Sequence, residues 1–284
     1  MLYNLREYHR PASIEEALRL LRRSSPKTVA LAGGVSVIGQ GSREIEAVVD
    51  LQDLGLGAIT REPGLLRLGA MVRLQTIVEE LPDALDGLLA VGARRMAGWN
   101  LRNQMTVGGV LAGGDVRSPL SVVLAALSAR VEITDQEGDP PFWTVLSADL
   151  RRRPLAGRLI TGVTLELPSP IGASYHQVGR TAADLPILCA AAAAYPHVQG
   201  GINVVLTLGG YTHDLYTVVS VIAATDAADE IESMAGQVLS APHDTIREDY
   251  LGSAEYRRGV APVLARRAVS EALARFASAS GGRS

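Results

Sequence analysis

Two pairs of adjacent glycines, each at the end of an apolar run, constrain this chain more than any other feature. The first pair lies in LAGGVS (31–36) and the second in TVGGVLAGG (106–114). Glycine adopts positive φ easily, and without a Cβ its backbone N–H groups can come close to a ligand. Consecutive N–H groups that face one way form an anion-binding nest, which a diphosphate fits. Taken singly, either pair is also explained by a tight turn or by close strand packing.

The residues beside the two pairs favour the diphosphate interpretation. Ser36 and Thr106 place a hydroxyl next to each pair. Neither segment is a standard nucleotide motif, because the chain has no GxxxxGK[ST] sequence and no GxGxxG that opens a βαβ unit. Two such pairs, each with a hydroxyl beside it, predict a diphosphate held from two sides.

Composition and charge argue against several classes of protein. The chain has 284 residues, is 47% hydrophobic and 20% charged, and carries a net charge of −3. These values are typical of a globular protein and offer no basic face to nucleic acid. No apolar run reaches the ~18 residues of a membrane span, and the N-terminus lacks a signal core, so we expect no transmembrane segment and a cytoplasmic location.

Cysteine and histidine usage predicts no metal site. The five histidines are scattered without ligand spacing, and the single cysteine, Cys189, lies in the apolar run LPILCAAAAAY. One cysteine cannot hold an iron–sulfur cluster, and we expect Cys189 to be a buried thiol.

Hydrophobic patterns predict an α+β protein in two domains that are separated at Pro168-Ser169-Pro170. A capping box at Ser13 and Glu16 predicts where the first helix begins. Further helices are expected over residues 74–97, 118–129, 182–194 and 253–277. Strands are expected in TVALAGG, AVVDL, LLRLGA, VEIT, LITGVTLELP, ASYHQVGR, GINVVLTLGG and DLYTVVSV.

Sequence blocks along nearly the whole chain resemble one family. The sequence is similar to the medium, flavin-binding subunit of molybdenum hydroxylases, such as carbon monoxide dehydrogenase and the bacterial xanthine dehydrogenases. The order and spacing of the blocks make the resemblance specific. The blocks are IEEALRLL, LAGGVSVIG, AVVDLQDL, LRLGAMVRLQTIVE, Arg102-Asn103 before TVGG, VGRTAADLPI, LTLGG and GSAEYRRGVAPVLARRAV.

The resemblance implies a fold and a cofactor. The fold would be α+β, with a vanillyl-alcohol-oxidase-like (PCMH-type) FAD-binding domain over residues 1–169, in subdomains of about 1–55 and 56–169. A smaller C-terminal sheet-and-helix domain would cover residues 171–280. FAD would lie with its pyrophosphate against both glycine pairs. The implied contacts are Ala32, Gly33, Gly34, Val35, Ser36, Thr106, Val107, Gly108, Gly109 and Val110.

The chain departs from the family pattern at several positions. Val110 stands where the family usually has asparagine or another small polar residue, and Pro119 stands where it often has an acid. Asp115, four residues before Pro119, is the candidate to replace that acid. The pair Gly113-Gly114 lies where larger residues are common. Because two polar contacts are absent, we expect weakened FAD binding.

The resemblance implies an oxidoreductase that works within a complex. It would be the FAD-binding electron-transfer subunit of a molybdopterin-dependent hydroxylase, and it would carry no catalytic residue of its own. A large molybdopterin-binding subunit and a small subunit with two iron–sulfur clusters would be its partners, in a dimer of heterotrimers. One alternative is a family member that has lost FAD and acts as a scaffold. A free-standing flavin oxidoreductase is another, but the sequence shows no catalytic acid or base for it.

Several charged residues outside the glycine segments have structural interpretations. We expect Arg180 and Asp184 to lie at a helix start in an ion pair, and His176 to lie either near the flavin or on an exposed strand. The last helix should present a solvated face or a subunit contact. Its arginines are Arg257, Arg258, Arg266 and Arg267.

Overall fold

The computed structural model describes residues 2–135, 142–145, 155, 157–181, 184–223 and 227–281. Within these residues the strands form three separate sheets, of three, five and four strands. The first sheet is parallel, in the order β1-β3-β2. Its elements are β1 (Glu7–His9), α1 (Ile14–Leu21), β2 (Thr28–Leu31), α2 (Val35–Gly39) and β3 (Ala47–Asp50).

Helix α1 begins as the capping box predicts. The hydroxyl of Ser13 accepts a hydrogen bond from the backbone N–H of Glu16 at 3.2 Å. The carboxylate of Glu16 accepts in return from the N–H of Ala12 at 3.1 Å. Ala17 and Leu18 are buried and pack beneath the first sheet with residues of β3, so the helix is held by its apolar face.

The second sheet is antiparallel, in the order β4-β5-β8-β6-β7. The helix predicted over residues 74–97 is in fact two helices, because the chain turns through positive φ at Leu85, Asp86 and Gly87. The strands are β4 (Ile59–Glu62), β5 (Leu65–Gly69), β6 (Arg130–Thr134), β7 (Phe142–Val145) and β8 (Leu159–Glu166). The helices are α3 (Leu74–Glu80), α4 (Leu88–Arg94), α5 (Trp99–Arg102), α6 (Val107–Gly113) and α7 (Pro119–Ala126).

The third sheet is an antiparallel meander, in the order β12-β11-β10-β9. Two helices follow it, and neither they nor any other described helix is both long and apolar enough to cross a bilayer. The strands are β9 (Gly172–Val178), β10 (Leu188–Pro196), β11 (Ile202–Gly209) and β12 (Tyr216–Ile222). The helices are α8 (Ala227–Leu239) and α9 (Ala254–Gly281).

The alanine-rich run forms strand β10, so the helix predicted over residues 182–194 is wrong. Helices cover both faces of this strand. Cys189, Ala191 and Ala193 pack in the core that contains α7, and Ala190 and Ala192 pack in the core that contains α9. A strand buried on both faces shows no polar alternation, so its sequence resembles that of a buried helix. Tertiary packing overrides the helical propensity of alanine here.

Candidate functional site

The first glycine pair, Gly33-Gly34, lies between the end of strand β2 and the N-terminus of helix α2. Gly34 has a φ of 76°, a left-handed conformation that residues with a Cβ rarely adopt. In the described part of the chain, the backbone N–H groups of Val35, Ser36 and Val37 have no acceptor. A left-handed residue followed by helical ones forms a nest, and the helix adds a partial positive charge. This turn therefore fits an anion.

The second glycine pair differs from the first, because the N–H groups around it already have acceptors. Gly108 and Gly109 lie in the first turn of α6, and neither has a positive φ. The expectation of a second nest is therefore wrong, and the N-cap residue Thr106 satisfies this turn instead. The hydrogen bonds run from Val107 N to Val72 O (3.0 Å), Gly108 N to Ala70 O (2.8 Å), Gly109 N to Thr106 Oγ1 (3.1 Å) and Val110 N to Thr106 O (3.0 Å).

Two of the glycines are required by packing inside the protein. A Cβ on Gly33 would lie 1.7 Å from the carbonyl oxygen of Gln104, and a Cβ on Gly108 would lie 2.8 Å from the Cβ of Ala70. Neither atom could be accommodated without moving the backbone. Close packing, the simpler interpretation of a glycine pair, is therefore correct for Gly33 and Gly108.

The same close packing brings the two glycine segments together. A Cβ on Gly109 would lie 3.9 Å from the Cβ of Ala32, and a Cβ on Gly113 would lie 4.0 Å from Ser36 Oγ. Helices α2 and α6 thus face each other at these residues. Because Gly113 has no side chain, there is space beside Ser36 and the α2 nest. A larger residue at position 113 would fill that space.

Val110, Pro119 and Asp115, at or near the departures from the family pattern, each make contacts within the protein. Val110 is buried in the core of the second sheet, and Pro119 is the first residue of α7, behind the N-cap Ser118. Asp115 accepts from Arg117 with both carboxylate oxygens, at 3.1 Å from Nε and 2.9 Å from Nη2. Burial opposes ionisation of Asp115, but the hydrogen bonds and charge of Arg117 outweigh it and lower its pKa.

Arg257 does not lie on a solvated face, so that expectation is wrong for this residue. Its side chain is fully buried, and Nη1 donates to the carbonyl oxygens of Ile187 and Gly210, each at 2.5 Å. Its Nη2 donates to Asp249 Oδ1 at 2.7 Å. Helical spacing places Arg257 on the buried side of α9. The sequence does not show which carbonyl groups accept its hydrogen bonds. Arg247 Nε donates to the other oxygen of Asp249 at 2.7 Å.

Arg180 makes other contacts than expected, whereas His176 lies on a strand as expected. Arg180 does not lie at a helix start; its Nη2 donates to the carbonyl oxygen of Tyr250 at 2.9 Å, and its guanidinium centre lies 5.8 Å from the centre of the Tyr250 ring. Asp184 is exposed. His176 lies on β9 with Nε2 2.8 Å from a carboxylate oxygen of Glu271 on α9, so it links the sheet to that helix.

Comparison with known proteins gives the family. A family model described as "FAD binding domain in molybdopterin dehydrogenase" matches residues 3–165. Over 287 residues the chain is 30% identical to the nicotine 6-hydroxylase medium subunit of Paenarthrobacter nicotinovorans, covering 94% of this chain and 97% of that one. It is 28% identical to the carbon monoxide dehydrogenase medium chain of Afipia carboxidovorans over 295 residues, covering 95% and 97%.

Solved structures give the fold. A chain of reconstituted CO dehydrogenase from Oligotropha carboxidovorans superposes with a TM-score of 0.82 at 24% identity, covering 97% of this chain and 99% of that one. The fold is that of the PCMH-type, FAD-binding medium subunits of molybdenum hydroxylases, as the sequence resemblance implied. The chain belongs to the family of FAD-binding domains of molybdopterin dehydrogenases. It is an oxidoreductase subunit, and its cofactor is FAD.

Proposed function

We propose that this chain carries FAD as the electron-transfer subunit of a molybdopterin-dependent hydroxylase complex. The observation that carries the proposal is the turn at Gly34, where the N–H groups of Val35 and Ser36 have no acceptor among the described residues. A diphosphate supplies the missing acceptors and the negative charge that a helix N-terminus favours. The bound flavin would supply the redox chemistry, accepting electrons from one partner and releasing them to another.

The residues of the two glycine segments would have different roles. Gly34, Val35 and Ser36 would donate to the pyrophosphate, whereas Ala32 and Gly33 position that turn against the second segment. On the second segment, Gly109 and Thr106 would form the opposite wall, with Val107, Gly108 and Val110 holding α6 in place. Asp115 lies in the loop that follows α6, beside its partner Arg117.

The partners follow from what this chain lacks. Its single cysteine cannot hold an iron–sulfur cluster. Among the described residues, no group of histidine, cysteine and carboxylate side chains could hold a metal ion. The curated relatives are named medium subunits or chains. We therefore assign the clusters to a small subunit and the molybdopterin to a large one, in a cytoplasmic dimer of heterotrimers that passes electrons to an external acceptor.

We also propose a domain boundary at residues 168–170, between an FAD-binding domain (1–169) and a C-terminal domain (171–280). The separate pairing of the second and third sheets supports it. Because β10 packs on α7, the two domains would share an apolar core and not behave as independent units.

A charge substitution in the nest tests FAD binding. Ser36→Asp adds a carboxylate to the first turn of α2, where it favours the helix but repels a diphosphate. We expect the Kd for FAD to rise at least about tenfold, or roughly 1.4 kcal/mol, with an unchanged melting temperature. Ser13→Asp is the matched control, because it adds the same charge at the N-cap of α1. Equal affinity in both variants would contradict the proposed diphosphate site.

Isolation of the complex tests the electron-transfer role. We expect an affinity tag on this chain to recover a large and a small subunit with molybdenum and iron in the preparation. Rapid mixing with substrate should then show reduction of the iron–sulfur clusters and of the flavin. A flavin that stays oxidised while the clusters are fully reduced would contradict the proposed electron path.

A further inference from the structure

An exposed tyrosine lies at the tip of a tight, hydrogen-bonded turn. Tyr250 is 82% exposed, and the turn that carries it is closed by two backbone hydrogen bonds between Asp249 and Gly252, at 3.2 and 3.1 Å. The carboxylate of Asp249 accepts from the N–H of Leu251 at 2.9 Å. Because the buried Arg257 holds the same carboxylate, the turn is anchored to the start of α9.

Arginine side chains surround this turn. Arg180 lies over the Tyr250 ring and donates to the Tyr250 carbonyl oxygen. Arg117 contributes a further positive charge: the hydrogen bond to Asp115 raises its pKa, and the charge of Asp249 adds to that effect. The ring is thus an exposed aromatic surface on an ordered turn, in a positively charged environment.

Continuous contacts link the Tyr250 turn to the Gly34 nest. Ser36 faces Gly113 across the gap between α2 and α6. Two residues beyond Gly113, Asp115 binds Arg117, whose Cγ lies 3.2 Å from where a Cβ on Gly210 would be. Arg257 then joins Gly210 to the Tyr250 turn. A series of contacts therefore runs from the nest, past the end of α6, to the Tyr250 turn.

We propose that the Tyr250 ring is a stacking platform for a planar heteroaromatic ring. This inference rests on the proposed FAD function, and it assigns the isoalloxazine of FAD to that platform, with the diphosphate at the Gly34 turn. Aromatic rings stack favourably in offset geometry, and a turn whose backbone is already ordered loses little entropy when a ligand binds. The nicotinamide of a dinucleotide electron acceptor is also a planar heteroaromatic ring. It is the alternative ligand for the same platform.

Two substitutions at Tyr250 test the platform, with a matched control. Tyr250→Ala removes the ring, and Tyr250→Phe keeps the stacking surface but is a poorer electron donor to an excited flavin. Tyr3→Ala is the control, because Tyr3 is 60% exposed and also lies under an arginine, with Arg43 5.7 Å from its ring centre. The measurements are the Kd for FAD and the fluorescence of the bound flavin.

We expect flavin fluorescence to be quenched in the wild type and in Tyr3→Ala. Tyr250→Phe should keep the wild-type Kd but give brighter bound flavin, which a purely structural role for Tyr250 would not produce. Tyr250→Ala should also be brighter, with a Kd raised about three- to tenfold. Unchanged quenching in both Tyr250 variants would overturn the inference.

The outcomes separate this inference from the proposed function. If the wild type binds no FAD, the proposed function fails and the inference fails with it. If FAD binds and Ser36→Asp weakens it, but Tyr250→Ala and Tyr250→Phe match the wild type, only the inference fails. Titration of the FAD-loaded protein with NAD⁺ distinguishes the isoalloxazine from the nicotinamide as the stacked ring. If Tyr250→Ala weakens NAD⁺ binding without changing flavin quenching, the ring belongs to the nicotinamide, and the isoalloxazine assignment is overturned.

Discussion

The carbonyl oxygen of Gln104 fills the space that a Cβ on Gly33 would need, 1.7 Å from that position. The turn after β2 is thereby pressed against the segment that leads into α6. Gln104 precedes the glycine pair of that helix, so one contact between backbones aligns the two glycine segments. The alignment depends on glycine at position 33, because the contact joins backbone to backbone.

The contact predicts that Gly33→Ala destabilises the whole protein. A methyl group at this position meets backbone atoms, which cannot rotate away as a side chain could. We expect a loss of about 2 kcal/mol or more in the free energy of unfolding, measured by urea denaturation. Gly236→Ala on α8 is the control, since a Cβ there meets nothing within 4 Å and alanine favours a helix. Equal stability of the two variants would contradict the packing argument.

The departures at Val110 and Pro119 predict weak FAD retention by the isolated chain. Loss of two polar contacts at about 1 kcal/mol each lowers affinity roughly tenfold to a hundredfold. We expect protein that loses FAD during purification and regains it with excess FAD or with partner subunits. Titration followed by flavin fluorescence measures this. Tight stoichiometric binding would indicate compensation, with Asp115 the candidate, and no binding even with partners would favour the scaffold alternative.

Removal of the buried guanidinium should be costly. Arg257→Met leaves the carbonyl groups of Ile187 and Gly210 without their donor and the carboxylate of Asp249 with one arginine fewer. We expect a loss of about 3–5 kcal/mol in the free energy of unfolding. The neighbouring Arg258→Met should cost less than about 1 kcal/mol, because Arg258 makes an exposed hydrogen bond to Leu239 O. Chemical denaturation of both variants decides the point.

The Asp115–Arg117 pair predicts a specific pH dependence of stability. The pKa of Asp115 is lowered in the folded protein, so the carboxylate stabilises the fold above the unfolded pKa of about 3.9. That contribution is lost as the pH falls through the folded pKa. We expect Asp115→Asn to be less stable than the wild type at pH 7, with the difference shrinking in acid. A difference that stays constant from pH 7 to about pH 2 would show that the charge does not matter.

Cys189 should be unreactive in the folded protein. Burial raises the pKa of its thiol to about 12, and the side chain is fully enclosed between β10 and α7. Thiolate is the nucleophilic form, so alkylation at pH 8 should be slow until the protein unfolds. Mass spectrometry after iodoacetamide treatment, with and without denaturant, measures this. Rapid labelling of the native chain would contradict the buried position.

The sequence predicts best where a local pattern has one physical cause. The capping box at Ser13 acts over neighbouring residues, and α1 begins where it predicts. The strand predicted in GINVVLTLGG is also found, as β11. The family and its cofactor were predicted from ordered blocks of sequence. The prediction fails where the cause is distant in the chain. The sequence predicts a helix where β10 lies, because the burial of β10 depends on α7 and α9.

The site shows the same limit. Both glycine pairs look alike in sequence, yet only the turn at Gly34 leaves N–H groups without acceptors in the described residues. Val107 N–H donates to the carbonyl oxygen of Val72, and Gly108 N–H donates to that of Ala70. No motif at residues 106–114 reveals these acceptors. The burial of Arg257 cannot be predicted for a similar reason, since its acceptors come from loops far away in sequence.

The small side chains of β10 set the distance between helices α7 and α9. Alanine on both faces lets α7 and α9 approach the same strand, and each helix begins beside one part of the proposed site. The loop before α7 carries Asp115 and Arg117, and the turn before α9 carries Tyr250. Strand β10 therefore acts as a spacer of fixed thickness. A larger residue at Ala191 or Ala192 would widen the separation between the two helices. It would thereby change the distance between the parts of the proposed site without contacting any ligand.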